Sequence, residues 1–168
     1  MFDLKPLSKN AIPAALAKAE RYRLLNEPMQ AASICEDVLR VEPDNTAARV
    51  ALILALSDEF GGPEQAAALT RARTLLPGLS SDYERAYYSG ILAERRALAQ
   101  LAHGAAGSSF NAYDGLREAM EWFEKAEGMR PPDNDDAILR WNACARVLMR
   151  NPHLRPRTDE RDMPIALE

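Results

Sequence analysis

Few residues in this chain have both the type and the spacing to do chemistry. The run Asp133, Asn134, Asp135, Asp136 has the look of a calcium loop. An EF-hand needs glycine at its sixth position and a bidentate glutamate at its twelfth. Counted from Asp133, those positions hold Ile138 and Cys144. The acidic run therefore reads as a helix N-cap, where short oxygen-bearing side chains accept the first free backbone N–H groups. His103 and His153, the two histidines, stand in no HExxH arrangement, and no GxSxG is present. Cys35 and Cys144 lie far apart, with no nearby Cys or His to complete a metal-ligand spacing. They read as two buried free thiols of a reducing compartment. No Gly-Lys-Ser/Thr follows Gly61, Gly62 and Pro63, so that piece is a turn between helices and not a phosphate cradle. The sequence thus assigns no catalytic, metal-binding or cofactor-binding residue. An enzyme without a recognisable motif stays as a residual alternative.

Composition narrows the partners. The 168-residue chain carries 21 Lys+Arg against 25 Asp+Glu, a formal net charge of −4. A dedicated nucleic-acid binder shows basic excess instead, so nucleic acid is not an expected partner. No stretch of about eighteen apolar residues occurs, which predicts no membrane span. The N-terminal stretch holds Asp3 and no apolar core of a signal peptide, so we expect a cytoplasmic protein. Its length suits one compact unit or one short repeat array that folds without disulfide or metal.

Whatever site exists must be carried by helices. Apolar residues recur every three to four positions, and no stretch alternates with period two, so the expected class is all-α with about seven helices. A first helix over 10–25 takes Asn10 as N-cap with Pro13 in its first turn, where a missing N–H costs little. The second covers 28–41, the third 45–58 and the fourth 63–76, punctuated by Pro43, Gly61, Gly62, Pro63, Pro77 and Gly78. A long fifth helix runs from 80 to about 101. The piece HGAAGSSFN at 103–111 reads as a loop, pinned by Phe110 or Tyr113 folding back, and a sixth helix covers 113–129. Asp133 or Asn134 caps a seventh through Leu148. Its Ile138, Trp141, Ala145 and Leu148 face inward, and Asp135, Asp136, Arg140 and Arg150 stay in water. Residues 1–9 form an N-terminal extension, and the Pro-containing charged stretch 151–168 is expected to be extended or disordered.

The helix pairs repeat. Pro77 follows Pro43 by 34 residues, and Pro131 follows Pro77 by 54, which is the same period with about twenty residues inserted. The register agrees inside the pairs: Ala31, Cys35, Val38 and Pro43 match Ala119, Phe123, Ala126 and Pro131. Ala19, Tyr22 and Gly90 supply the small and aromatic positions that let helices approach and fill the gaps between turns. With these residues the chain resembles the tetratricopeptide repeat (TPR) family over about 11–150. The match is good in the first pair and fair in the third. In the degenerate second pair, Gln65 takes the place of the expected alanine. The resemblance implies an α-α superhelix with repeats over about 11–44, 45–78 and 80–132. It also implies an insertion near 100–112 and a capping helix over 133–150, the whole forming one helical repeat domain over 10–150.

In similar proteins the first helix of each pair lines a concave groove that receives a peptide or a helix of a partner. Position by position, that implies Leu16, Glu20 and Arg23; Val50, Leu54 and Ser57; Glu84, Tyr87, Ile91 and Glu94; and Asn142 and Arg146 of the seventh helix. Apolar anchors centred on Tyr87 with acidic edges at Glu20, Glu84 and Glu94 fit a ligand with apolar and basic residues. Leu16 and Glu20 stand where chaperone-binding members carry a clamp for a terminal carboxylate, so a chaperone C-terminus is not expected. Two alternatives remain at this stage. Val50, Leu54 and Ile91 could pack within the chain and fill the groove, or the long fifth or the seventh helix could pair with its copy in a homodimer.

Overall fold

Proline, asparagine and serine set most of the helix ends in the computed structural model, which describes residues 2–104 and 107–157. The first helix, α1 (Ile12–Leu24), follows a single 3-10 turn at Lys9–Ala11, with Ala11 at its N-cap. Asn10 lies inside that turn and does not cap α1. Pro13 does sit in the first helical turn, where its missing donor is harmless. Asn26 then adopts a left-handed conformation (φ 59°), which turns the chain sharply into α2 (Pro28–Val41). Asn45 caps α3 (Thr46–Asp58), its Oδ1 accepting from the Ala48 N–H at 2.9 Å. Next come α4 (Gln65–Leu75) and a 3-10 turn at Leu76–Gly78. Ser81 caps α5 (Asp82–His103) by accepting from the Glu84 N–H at 3.1 Å, and Glu84 Oε2 reaches back to the Ser80 N–H at 2.9 Å. Asn134 starts α7 (Asp136–Arg150), its Oδ1 accepting from the Asp136 N–H at 3.0 Å and from the Tyr83 hydroxyl at 3.1 Å. Asp135 stands at the N-cap without a side-chain cap bond, so it is the amide of Asn134, not a carboxylate of the run, that meets the helix start.

The expected loop over 103–111 is much shorter. The fifth helix continues to His103, and α6 (Ser108–Glu127) begins five residues before Tyr113. Gly104 (φ 60°) and Gly107 (φ 77°) supply the left-handed conformations that end one helix and admit the next. The two serines that looked like loop composition occupy the first turn of α6, where serine is well tolerated. Phe110 and Tyr113 are therefore helical residues, and residues 105–106 lie outside those described.

Among the described residues the chain is all-α, with seven α-helices and no strand. Short connections make successive helices antiparallel neighbours. The α1, α3 and α5 helices lie side by side as one layer, backed in turn by α2, α4 and α6, and α7 closes the end against α6. Packing between α5 and α6 is tight because glycines stand at the points of contact. A Cβ on Gly90 would come within 2.5 Å of the Phe123 ring, and one on Gly115 within 2.9 Å of the Ala97 methyl. Two main apolar cores result, with smaller clusters around Ile12, Val38 and Ala48 and around Ala86, Ala126 and Ala137. One gathers Ala31, Cys35, Leu52, Ile53 and Phe60 among α1–α4, and the other gathers Ile91, Leu116, Phe123 and Cys144 among α5–α7. Tyr88 packs against both. Leu154 is buried in the second core, so 151–157 folds back on the helices where a free tail was expected; the rest of that stretch, 158–168, lies outside the described residues.

Candidate functional site

The α1–α3–α5 layer carries a line of charge at its centre. Arg23, one turn after Glu20 on α1, points at the carboxylate that ends α3. Its Nε lies 2.7 Å from Asp58 Oδ2 and its Nη2 3.3 Å from Oδ1. On the other side, Arg95 of α5 donates through Nη1 to the same Asp58 carboxylate, to Ser57 Oγ at 2.6 Å and to the Leu54 carbonyl at 3.2 Å. One aspartate thus ties three helices together. The arrangement is chemically consistent, because the last turn of a helix presents unpaired carbonyls and a negative dipole end that favour cations. The side chains of Arg23, Asp58 and Arg95 keep 20%, 23% and 24% of their exposure, so this lattice is screened from solvent without being sealed. Burial lowers the Arg95 pKa, and the Asp58 charge works against that shift.

The residue just before Arg95 on α5 is enclosed. Glu94 is 5% exposed, and Arg140 of α7 comes over it with Nη1 at 3.6 Å from Oε2. That oxygen accepts no hydrogen bond. Burial raises the Glu94 carboxyl pKa, with Arg140 and Arg95 acting against it. The Cys144 thiol is pushed up to about 12 by burial and, secondarily, by Glu94. Cys35 in the other core is pushed up to about 11, again by burial first. Both cysteines are buried free thiols. Neither has the depressed pKa and access that a nucleophilic thiol needs. Tyr87 sits beside this group in an aromatic cluster, stacked on Tyr83 at 5.8 Å, edge-on to Tyr88 at 5.2 Å and tilted against Phe123 at 5.9 Å.

The twelve residues proposed from sequence therefore divide. Glu20 is exposed and, with Arg23, Leu24 and Asp58, borders a trough of about 270 Å³ between α1 and α3. Leu16 and Val50 are half-buried, Leu16 packing against the Ile12–Val38–Ala48 cluster and Val50 against the first core. Leu54 and Tyr87 are half-buried in the second core, and Glu84 is half-buried in the cap of α5. Asn142 is half-buried and Arg146 exposed on α7. Ser57, Ile91 and Glu94, at 3%, 1% and 5% exposure, are not lining residues. Arg95 occupies the Ser57 hydroxyl, the second core encloses Ile91, and Arg140 covers Glu94.

Sequence reasoning missed Asp58 and Arg95, and it left Arg140 without its partner Glu94, although the Arg140 side chain does keep 41% of its exposure. Asp58 offered a signal in principle, being an acid at the C-terminal end of a helix, where cations are needed nearby. The rotation of α5 and α7 about their axes decides the other two, and periodicity alone leaves that open. Among the described residues, no group of three or more His, Cys, Asp or Glu is placed to hold a metal ion. No described helix is long and apolar enough to cross a membrane. No family model, no curated protein and no solved structure matches this chain.

Proposed function

We propose that this chain is a non-catalytic adaptor of TPR-like organisation that receives a peptide or helix of another protein on the α1–α3–α5 face, the concave side of such a superhelix. The observation that carries this reading is the trough bordered by Glu20, Arg23, Leu24 and Asp58. It is open beside a fixed lattice of ion pairs, and Leu24 stands 88% exposed at its edge. An exposed large apolar side chain next to ordered charges is how interface anchors are presented. Small residues at the helix contacts (Ala19, Ala31, Gly90 and Ala119, all buried) support the repeat-like stacking that the reading assumes. A cytoplasmic setting fits two unpaired thiols.

Self-association is the competing reading, and one feature favours it. Leu139 and Met149 of α7 are 63% and 79% exposed, with Arg146 between them, on the last helix among the described residues. The discriminating experiment is affinity capture from cell lysate with wild-type chain beside a Glu20→Lys/Leu24→Asp variant, with solution mass measured for both. The adaptor reading predicts a monomer whose captured proteins include at least one lost from the variant. Identical capture by both, or a dimer undone by Leu139→Asp/Met149→Asp, overturns it.

A further inference from the structure

Asp58 borders a second and larger depression, on the edge of the layer where the α1–α2 and α3–α4 turns lie side by side. This cleft has a volume of about 570 Å³. Its apolar walls come from Pro28, Met29, Gly61, Gly62 and Pro63. Leu24, Leu25 and Met29, at 88%, 62% and 74% exposure, continue that apolar surface outward from the turn. The charges that line it are of one sign: Glu27, Asp58, Glu59 and Glu64, with no lysine or arginine. Asp58 is neutralised by Arg23 and Arg95, but Glu27, Glu59 and Glu64 have no ion-pair partner among the described residues.

We infer that this cleft takes the anchor of the partner: a large apolar side chain on a segment whose flanking residues are lysine or arginine. The inference rests on the adaptor reading and specifies where and by what chemistry the partner is held. Charge decides among the occupants. A second copy docked on the same cleft about a two-fold axis would set Glu27, Glu59 and Glu64 against themselves, which is unfavourable. The chain's own stretch 158–168 carries Asp159, Glu160, Asp162 and Glu168 against Arg161 alone, the wrong sign for this rim. Anionic lipid and nucleic-acid phosphates are repelled in the same way. A small ligand would be enclosed by the cleft walls and would leave Leu24 and Leu25 in water, whereas a peptide or helix crossing the turn covers them. A basic, apolar protein segment satisfies both the acidic rim and the outer leucines.

The test is selection from a random twelve-residue peptide display library on three folded proteins, each checked by circular dichroism and thermal melting. These are wild type, a cleft variant Met29→Glu/Glu59→Lys, and Glu20→Lys in the α1–α3 trough. Clones enriched on wild type and lost on the cleft variant should carry one or two large apolar residues flanked by Lys or Arg. Their fluorescein-labelled peptides should bind wild type at least tenfold more tightly than the cleft variant in fluorescence anisotropy, with affinity falling as salt rises. The inference is overturned if no clone depends on the cleft, or if cleft-dependent clones are acidic or lack apolar residues. Clones lost only on Glu20→Lys would overturn it while leaving the adaptor reading intact. Self-association abolished by the cleft variant would overturn both.

Discussion

Asp58, the last residue of α3, holds Arg23 of α1 at 2.7 Å and Arg95 of α5 within the same carboxylate. Two cations that would repel each other are thereby joined across three helices. Asp58→Asn removes the shared charge and leaves Arg23 and Arg95 facing each other. Hydrogen bonds to charged, partly buried groups predict a loss of about 1–3 kcal/mol. Asp37→Asn supplies the control, because its 3.5 Å contact with Arg40 is an exposed pair one turn apart on α2. That variant should lose no more than about 0.5 kcal/mol. Urea titrations with unchanged slope measure both. Equal losses would remove Asp58 from the centre of the account.

Gly90 is where α5 and α6 come closest to a wholly buried ring. A Cβ there meets Phe123 at 2.5 Å, and Phe123 is fully buried. Gly90→Ala should cost about 1–3 kcal/mol despite the better helix propensity of alanine, because over-packing a closed core forces side chains off their rotamers. Combining it with Phe123→Leu should recover part of that cost. A double-mutant cycle by thermal or urea unfolding reads the coupling, and strict additivity would show that the contact is not shared.

Much of this arrangement was legible in the sequence. The 34-residue spacing of Pro43 and Pro77 marked helix pairs, and the second helix runs over Pro28–Val41 as periodicity predicts. The small-residue contact at Gly90 is legible too, and the Phe123 ring is what it meets. The start of α6 was not legible, because a Gly/Ser-rich piece reads equally as a loop or as two left-handed glycines flanking a helix start. The candidate site was read less well. Periodicity says which residues share a stripe, but it does not say that Arg140 swings over Glu94 or that Arg95 spans to α3. Such contacts depend on the rotation and offset between helices distant in sequence. Ser57, Ile91 and Glu94 fell to that same ambiguity.

Glu94 makes the chain respond to acid in a definite sense. Burial raises its carboxyl pKa above the ordinary 4.5, so the folded state holds that proton more tightly than the unfolded state does. The stability linked to this group is therefore fully present below the ordinary value and is lost as pH rises through the folded one. Glu94→Gln cannot ionise and escapes that loss. Relative to wild type, it should be more stable at neutral pH, and the advantage should shrink as pH falls toward the ordinary carboxyl range. Urea midpoints measured from about pH 4 to pH 8 decide it. An advantage that grows on acidification would mean that the Arg140 pairing outweighs burial.

Both thiols should be inert in the native chain. Burial pushes Cys35 to about 11 and Cys144 to about 12, which leaves almost no thiolate at neutral pH and no path for a reagent. A colorimetric disulfide reagent at pH 8 should titrate no thiol in folded protein and two after denaturation in guanidinium. Fast reaction of either cysteine in buffer would show that its core opens.

The most direct test of the central claim, that the α1–α3 side of this chain receives a partner protein, is site-specific photo-crosslinking in cells. A benzophenone amino acid is placed at Leu24, beside the trough, or at Arg73, an exposed position on α4 in the backing layer. The account predicts a discrete heavier adduct from the Leu24 position, absent from Arg73, whose second component is a different protein contributing an apolar segment. Equal labelling from both positions, no adduct from Leu24, or an adduct made only of two copies of this chain would contradict it.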